Sequence, residues 1–150
     1  MRGPLTVSKK NRVAWAADDL VGTPFRNQGR SPGIGLDCAG VVCSAYGAVG
    51  VQLAHDNEYA WHSNYSELMN RILSDYFDVI EEPESCAAVT LWVKTPGIAR
   101  HLGLLVPGPS GFDMIHASQG TTTVVRERFG ARWRKKVVSY WRLKEWQPSH

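Results

Sequence analysis

The sequence predicts an α+β domain in which amino-terminal helices pack on a carboxyl-terminal antiparallel sheet of about five or six strands. Three observations predict this class. Apolar residues recur every three or four positions in the first half of the chain, and short strand-like segments fill the second half. A Pro-Ser-Gly turn at residues 109–111 separates two of those segments, as in a hairpin.

Three helices are predicted. The first spans residues 11–21, where an apolar stripe is followed by Gly22 as a stop. This stripe consists of Val13, Ala14, Ala17, Leu20 and Val21. The second helix begins near Cys38, because Asp37 is a suitable N-cap and apolar residues follow it. The third helix spans residues 63–76. The first helix is expected to pack against the second and support it.

The loop at residues 23–35 is rich in proline and glycine, which interrupt both helical and strand ladders, so neither element is expected there. The polar but aromatic segment at 52–62 favours either a surface loop or the wall of a substrate groove. The predicted strands span residues 77–80, 89–93, 101–106, 113–117, 122–126 and 137–142.

Length and composition indicate one domain over residues 1–150. A hydrophobic content of 43% with 21% charged residues is ordinary for a soluble globular protein. The three cysteines are odd in number and lack Cys-x-x-Cys spacing, so neither a disulfide framework nor a zinc site is expected. No cofactor and no metal are predicted.

Charge and hydropathy limit the classes of binding partner that are expected. Residues 1–10 have no apolar signal-peptide core, and no run approaches the roughly 18 apolar residues of a membrane helix. Synthesis in the cytoplasm without a signal peptide is therefore expected, with no membrane partner. Six cations at 126–136 favour either a solvated face or attraction to an anionic polymer. The net charge is only +3, and no nucleic-acid motif is present, so nucleic acid is not an expected partner.

Cys38 is the first candidate for chemistry. The positive end of a helix dipole favours thiolate over thiol, which makes a cysteine nucleophilic near neutral pH. We therefore expect Cys38 at the exposed tip of a buried helix. The alternative is a core cysteine that acts as a small hydrophobe.

Two histidines are candidate partners for this thiol. His101 and His116 lie on the two strands of the predicted hairpin, so His116 could hydrogen-bond the far nitrogen of His101 and fix its tautomer. Side chains alternate along a strand, so Gly103 shares a face with His101 and would leave space for a substrate. The alternative is that both histidines only pack.

Taken in order, these segments resemble the NlpC-like cell-wall cysteine peptidases, which have a papain-like fold. The matching stretches are Val21-Gly22-Thr23-Pro24-Phe25-Arg26, Leu36-Asp37-Cys38-Ala39-Gly40-Val41-Val42, His101-Leu102-Gly103-Leu104-Leu105-Val106 and Ile115-His116-Ala117. By this resemblance Cys38 is the nucleophile, His101 the general base and His116 the residue that orients the imidazole. The resemblance implies cleavage of an amide in the stem peptide of peptidoglycan through an acyl-enzyme.

The resemblance leaves two alternatives for function. One is an amidase or acyltransferase that uses the same triad, and the other is a structural phage-tail or assembly module with weak or no catalysis. A wall substrate and the expected absence of a signal peptide imply delivery outside the Sec route. Some relatives of this compact kind are phage-tail proteins, so a virion-associated protein with phage-tail partners is expected.

The chain departs from the resemblance before the cysteine. Many members carry tyrosine where Phe25 stands, and its hydroxyl is proposed to help bind the oxyanion. Loss of one oxyanion donor costs about 2.7 to 4 kcal/mol of transition-state stabilisation. Asn27 or Gln28 could supply a substitute donor.

Overall fold

The computed structural model describes residues 8–53 and 65–146, and the elements below are those of the described ranges. The helices are α1 (Lys9–Asp19), α2 (Cys38–Gly47), α3 (Tyr65–Tyr76) and α4 (Ala131–Arg134). The strands are β1 (Arg30–Ser31), β2 (Gly35–Leu36), β3 (Phe77–Ile80), β4 (Ala88–Trp92), β5 (Ala99–Gly108), β6 (Gly111–His116), β7 (Val125–Arg128) and β8 (Val137–Leu143). The predicted α+β class is confirmed.

Helix α1 begins at a side-chain cap, where the Ser8 hydroxyl accepts a hydrogen bond from the Asn11 amide. The buried part of its stripe packs on α2, as predicted. Val21 does not belong to this stripe, and that part of the prediction is wrong: the residue lies beyond the end of α1 at Asp19, and its side chain is exposed. Gly22 has the positive φ of +94° expected of a helix stop.

Six strands form one antiparallel sheet in the order β3-β8-β4-β5-β6-β7. Strand β8 lies between β3 and β4 and pairs antiparallel with both. The sheet therefore places β5 centrally, with β6 and β7 in order beside it.

The two faces of the sheet carry separate apolar clusters. The larger cluster joins α1 and α2 to alternate residues of β5, including Leu102, Leu104 and Val106. The smaller cluster on the other face includes Leu105 and Met114, with aromatic residues around α4. Since side chains alternate along β5, one strand contributes to both cores.

Two sequence predictions need correction. No strand is predicted at 23–35, but a short hairpin forms there, in which the two-residue strands β1 and β2 pair antiparallel. The strand predicted over 122–126 starts only at Val125, because residues 122–124 instead pair with the segment before α2. Thr122 has a φ of 60°, which interrupts an extended strand at that point.

No helix in the described ranges is long and apolar enough to cross a membrane.

The close approach of the 23–35 loop to α2 yields a test of the fold. A Cβ at Gly40 would lie 2.3 Å from the carbonyl oxygen of Gly29, whereas a Cβ at Gly47 would meet nothing within 4 Å. We expect Gly40→Ala to lower the free energy of unfolding by about 1–3 kcal/mol, because the backbone must shift. Gly47→Ala, on the same helix, should raise it by about 0.4–1 kcal/mol. Urea unfolding of both variants measures this, and equal stability of the two would contradict the packing described.

Candidate active site

Asp37 fixes the start of α2. Its buried carboxylate accepts hydrogen bonds from the backbone N–H of Gly40 at 2.8 Å, the backbone N–H of Gln28 at 3.0 Å and Arg30 Nη1 at 2.7 Å. The first bond is the predicted N-cap. The other two fasten the preceding loop to the helix, so the backbone at Cys38 is held from both sides.

Cys38 is the first residue of α2 and lines a pocket of about 460 Å³. The prediction that Cys38 is exposed at the tip of the helix is wrong, because only 1% of its surface is accessible to solvent. The residue packs with the larger apolar cluster and also lines the pocket. A substrate must therefore enter the pocket to reach the sulfur.

His101 lines the same pocket. Strand β5 carries an extra residue beside it, since Leu91 of β4 pairs with His101 while Trp92 pairs with Ala99. Bulges of this kind re-aim side chains next to active sites. The residue left over is Arg100, which also lines the pocket.

His101 and His116 are hydrogen-bonded to each other. The distance from His101 Nε2 to His116 Nδ1 is 2.8 Å, and the strands that carry them are neighbours in the sheet. Both rings are largely buried, with exposed fractions of 8% and 1%. Because Nε2 of His101 is engaged by His116, Nδ1 is the ring nitrogen left for the pocket.

Glu127 extends this contact, and the sequence analysis missed it. Its Oε2 lies 2.8 Å from His116 Nε2, and its Oε1 accepts a hydrogen bond of 3.0 Å from Trp133 Nε1. Glu127 lies on β7, which pairs with the strand of His116. The available signal was a single carboxylate within a run of cations.

Burial determines the protonation of the two rings. Desolvation, followed by the proximity of His116, lowers the pKa of His101 to about 3. Burial also lowers the pKa of His116, against the opposing influence of Glu127. Burial raises the pKa of Glu127, but hydrogen bonds from Trp133 and His116 outweigh it and lower the pKa overall. Near neutral pH the site thus holds two neutral imidazoles and one carboxylate.

Four predicted substrate-loop residues lie outside the pocket lining within the described part of the chain: Phe25, Asn27, Gln28 and Asp37. Phe25 packs against the larger apolar cluster. The backbone N–H of Gln28 donates to Asp37, which serves as an anchor of the loop. Residues 54–62 of the predicted groove loop lie outside the described residues.

Gly103 does not leave space for a substrate. A Cβ at this position would lie 2.6 Å from the sulfur of Met114, so the room beside Gly103 is filled by a buried side chain. The glycine therefore permits β5 and β6 to pack closely. This prediction is wrong because the sequence alone did not show what faced the glycine across the sheet.

The cations at 126–136 differ in their contacts. Arg126 binds Asp113, Asp18 and the carbonyl of Pro107, which ties β7 to its surroundings. Lys136 lies over the ring of Trp92, and both line the pocket with Cys38. The run thus divides into structural and pocket residues.

Comparison with known proteins places this site in a family. The family model described as NlpC/P60 family matches residues 22–142, a span that includes Cys38, His101, His116 and Glu127. The comparison with curated protein sequences gave no match.

Solved structures share the fold at low sequence identity. NlpC2 from Trichomonas vaginalis is 18% identical with a TM-score of 0.68, over 95% of this chain and 50% of that one. The NlpC/p60 domain of the peptidoglycan hydrolase SagA is 18% identical with a TM-score of 0.57, over 90% and 97%. RipD from Mycobacterium tuberculosis, described as a non-catalytic domain adapted to peptidoglycan binding, is 13% identical with a TM-score of 0.59, over 91% and 97%. The chain thus spans about half the length of the first of these structures.

The three thiols differ in environment, which predicts selective alkylation. Burial raises the pKa of both Cys43 and Cys86, which suppresses their thiolates at neutral pH. Cys38 instead lies at a helix start and in a pocket with His101. We expect brief iodoacetamide treatment at neutral pH to modify Cys38 at least about tenfold faster than the other two. Peptide mass spectrometry measures the rates, and equal rates for all three would remove the case for a nucleophile.

The buried histidines predict a loss of stability in mild acid. Below pH 6.5 the unfolded chain protonates at His101, whereas the folded chain does not until pH falls to about 3. Stability should therefore fall as pH decreases through this window and be unaffected above it. At pH 5 the loss from His101 alone is about 2 kcal/mol.

Urea unfolding at pH 7.5 and pH 5 tests this loss. The carboxylates of Glu84 and Glu127 have lowered pKa values in the folded chain, and at pH 5 they are mostly ionised in the unfolded chain as well, so their contribution is small. His101→Asn should flatten the dependence by about 2 kcal/mol, and an unchanged slope in that variant would contradict the burial of a neutral imidazole.

Proposed function

The chain belongs to the NlpC/P60 family, and we propose that it is a cysteine peptidase that cleaves an amide bond in the stem peptide of peptidoglycan. One observation carries the proposal: Cys38 and His101 line one pocket, and a second histidine binds the far nitrogen of His101. Nucleophile, base and orienting group in this order are the parts that thiol acyl transfer requires.

Acylation follows from this arrangement. Cys38 Sγ attacks the amide carbonyl carbon while Nδ1 of His101 accepts the thiol proton. The negative charge that develops on the carbonyl oxygen is stabilised by the positive end of α2. Collapse of the intermediate breaks the C–N bond, and His101 returns the proton to the leaving amine. The products are a free amine and a Cys38 thioester.

Deacylation reverses the roles. Water attacks the thioester carbon and gives a proton to His101 Nδ1. The C–S bond breaks, the proton returns to the sulfur, and a carboxylic acid leaves. His116 holds the ring of His101 through both half-reactions by the hydrogen bond at Nε2. No cofactor or metal enters these steps.

The charge of the pocket supports an anionic substrate. Arg100 and Lys136 line it, and its described lining contains no aspartate or glutamate. Trp92 and Trp133 supply apolar parts of the lining. Stem peptides carry carboxylates, which cations of this kind attract. An amidase or acyltransferase acting on another acyl donor would use the same residues, so the bond cleaved must be determined by analysis of products.

A non-catalytic wall-binding module is the second candidate, and two observations favour it. Phe25 lacks the hydroxyl expected near the thiol, and RipD shares the fold while being described as non-catalytic and adapted to peptidoglycan binding. Against this candidate, Cys38, His101 and His116 are all present here. Incorporation into a phage tail and delivery outside the Sec route stay predictions.

Digestion of purified cell walls tests the proposal. We expect the protein to release soluble muropeptides, with one new amine and one new carboxylate per cleavage, identified by liquid chromatography and mass spectrometry. Cys38→Ala should abolish release, because the nucleophile is lost, and His101→Ala should reduce it at least about a hundredfold. Cys43→Ala, five residues further along α2 and not among the described residues that line the pocket, is the matched control and should retain activity.

Two results would decide against catalysis. Wall binding without product, by a folded protein whose Cys38 is reduced, would favour the non-catalytic module. Equal release by the wild type and Cys38→Ala would show that the activity has another origin.

A further inference from the structure

We propose that Glu127 is a positioning residue that acts through two imidazoles to keep Nδ1 of His101 free of a proton. The inference rests on the proposed function of His101 as the base and adds a fourth member to the site. It starts from the chain of contacts His101–His116–Glu127, in which each nitrogen-to-partner distance is 2.8 Å.

Two donors converge on the Glu127 carboxylate. Trp133 Nε1 always carries a proton and donates to Oε1 at 3.0 Å. Oε2 faces His116 Nε2. An ionised carboxylate only accepts hydrogen bonds, so the proton in this contact must be on His116 Nε2.

The proton positions then follow along the chain. A neutral imidazole carries one ring proton, so His116 with a proton on Nε2 has a bare Nδ1. That bare Nδ1 accepts from His101 Nε2, which must therefore carry the proton of His101. The remaining nitrogen, Nδ1 of His101, is bare and can accept a proton from Cys38. One carboxylate thus sets the tautomers of both rings.

The opposite tautomers would disable the base. If His116 carried its proton on Nδ1, it would donate to Nε2 of His101, and His101 would then hold its own proton on Nδ1. A neutral imidazole in that state cannot accept the thiol proton. Position 127 therefore needs a side chain that accepts hydrogen bonds and cannot donate them. An ionised carboxylate meets this requirement.

Glu127 also binds Trp133, so a substitution at this position can change local packing as well as the tautomers of the histidines. The residue borders a second depression of about 300 Å³ that includes Arg128 and Arg132, and its side chain is 35% exposed. A glutamine of the same shape fits there, but its amide N–H₂ donates. Because Trp133 Nε1 can only donate, the amide oxygen in Glu127→Gln must face Trp133, and its N–H₂ must then donate to His116 Nε2 and reverse the tautomers.

The experiment combines nitrogen NMR of the histidines with the alkylation rate of Cys38 and turnover on cell walls. Wild type at pH 7 should show both rings protonated at Nε2 with bare Nδ1, assigned with His101→Asn and His116→Asn. In Glu127→Gln we expect a substantial population protonated at Nδ1 in both rings, with alkylation and turnover about 10- to 100-fold slower. Glu127→Asp, which keeps both acceptors, should restore the wild-type tautomers and part of the rate. Glu81→Gln, an exposed acid after the edge strand β3, is the matched control.

The outcomes distinguish this inference from the proposed function. Tautomers unchanged in a folded Glu127→Gln variant overturn the inference, whatever happens to turnover. Reversed tautomers with an unchanged alkylation rate also overturn it, because His101 would then not govern Cys38. Reversed tautomers and slower alkylation in a protein that releases no muropeptides support the inference and overturn the proposed function.

Discussion

Burial of the Asp37 carboxylate is the constraint on which the site depends. Three donors from separate points of the chain stabilise it: the backbone N–H groups of Gly40 and Gln28 and the guanidinium of Arg30. A buried ion that loses its partners destabilises the fold by about 3–5 kcal/mol. Separation of the loop from the helix would leave the carboxylate without two of its donors and is therefore unfavourable. Because Cys38 is the next residue, the bonds that hold the carboxylate also hold the thiol.

The order of the strands provides the second half of the site. Three neighbouring strands, β5, β6 and β7, each contribute one member of a polar chain that runs across the sheet from His101 through His116 to Glu127. A slip of one residue in any pairing would turn that member to the opposite face. The apolar cluster containing Leu105 and Met114 opposes such a slip, since it would expose these residues as well. Core packing therefore maintains the alignment of the polar chain.

The sequence predicted those features that depend on local chemistry. The N-cap at Asp37 and the contact between His101 and His116 follow from a cap residue, a turn and strand alternation, all within short stretches of chain. The position of β8 inside the sheet could not be predicted, because it depends on pairing between distant segments. The roles of Glu127 and Gly103 could not be predicted for the same reason. Each role is set by a cross-strand neighbour, which is His116 for Glu127 and Met114 for Gly103.

Burial has opposite effects on the resting site and on the reaction. It removes water from Cys38 and His101, which disfavours an isolated imidazolium and keeps the resting ring neutral. The same low dielectric strengthens the attraction between a thiolate and an imidazolium that form together at short distance. The carboxylate of Glu127 is two hydrogen bonds from His101, and its negative charge further stabilises positive charge on the rings of His101 and His116. Proton transfer from sulfur to nitrogen is thus least costly when both charges appear as a pair, which is the moment at which the thiol attacks a bound carbonyl.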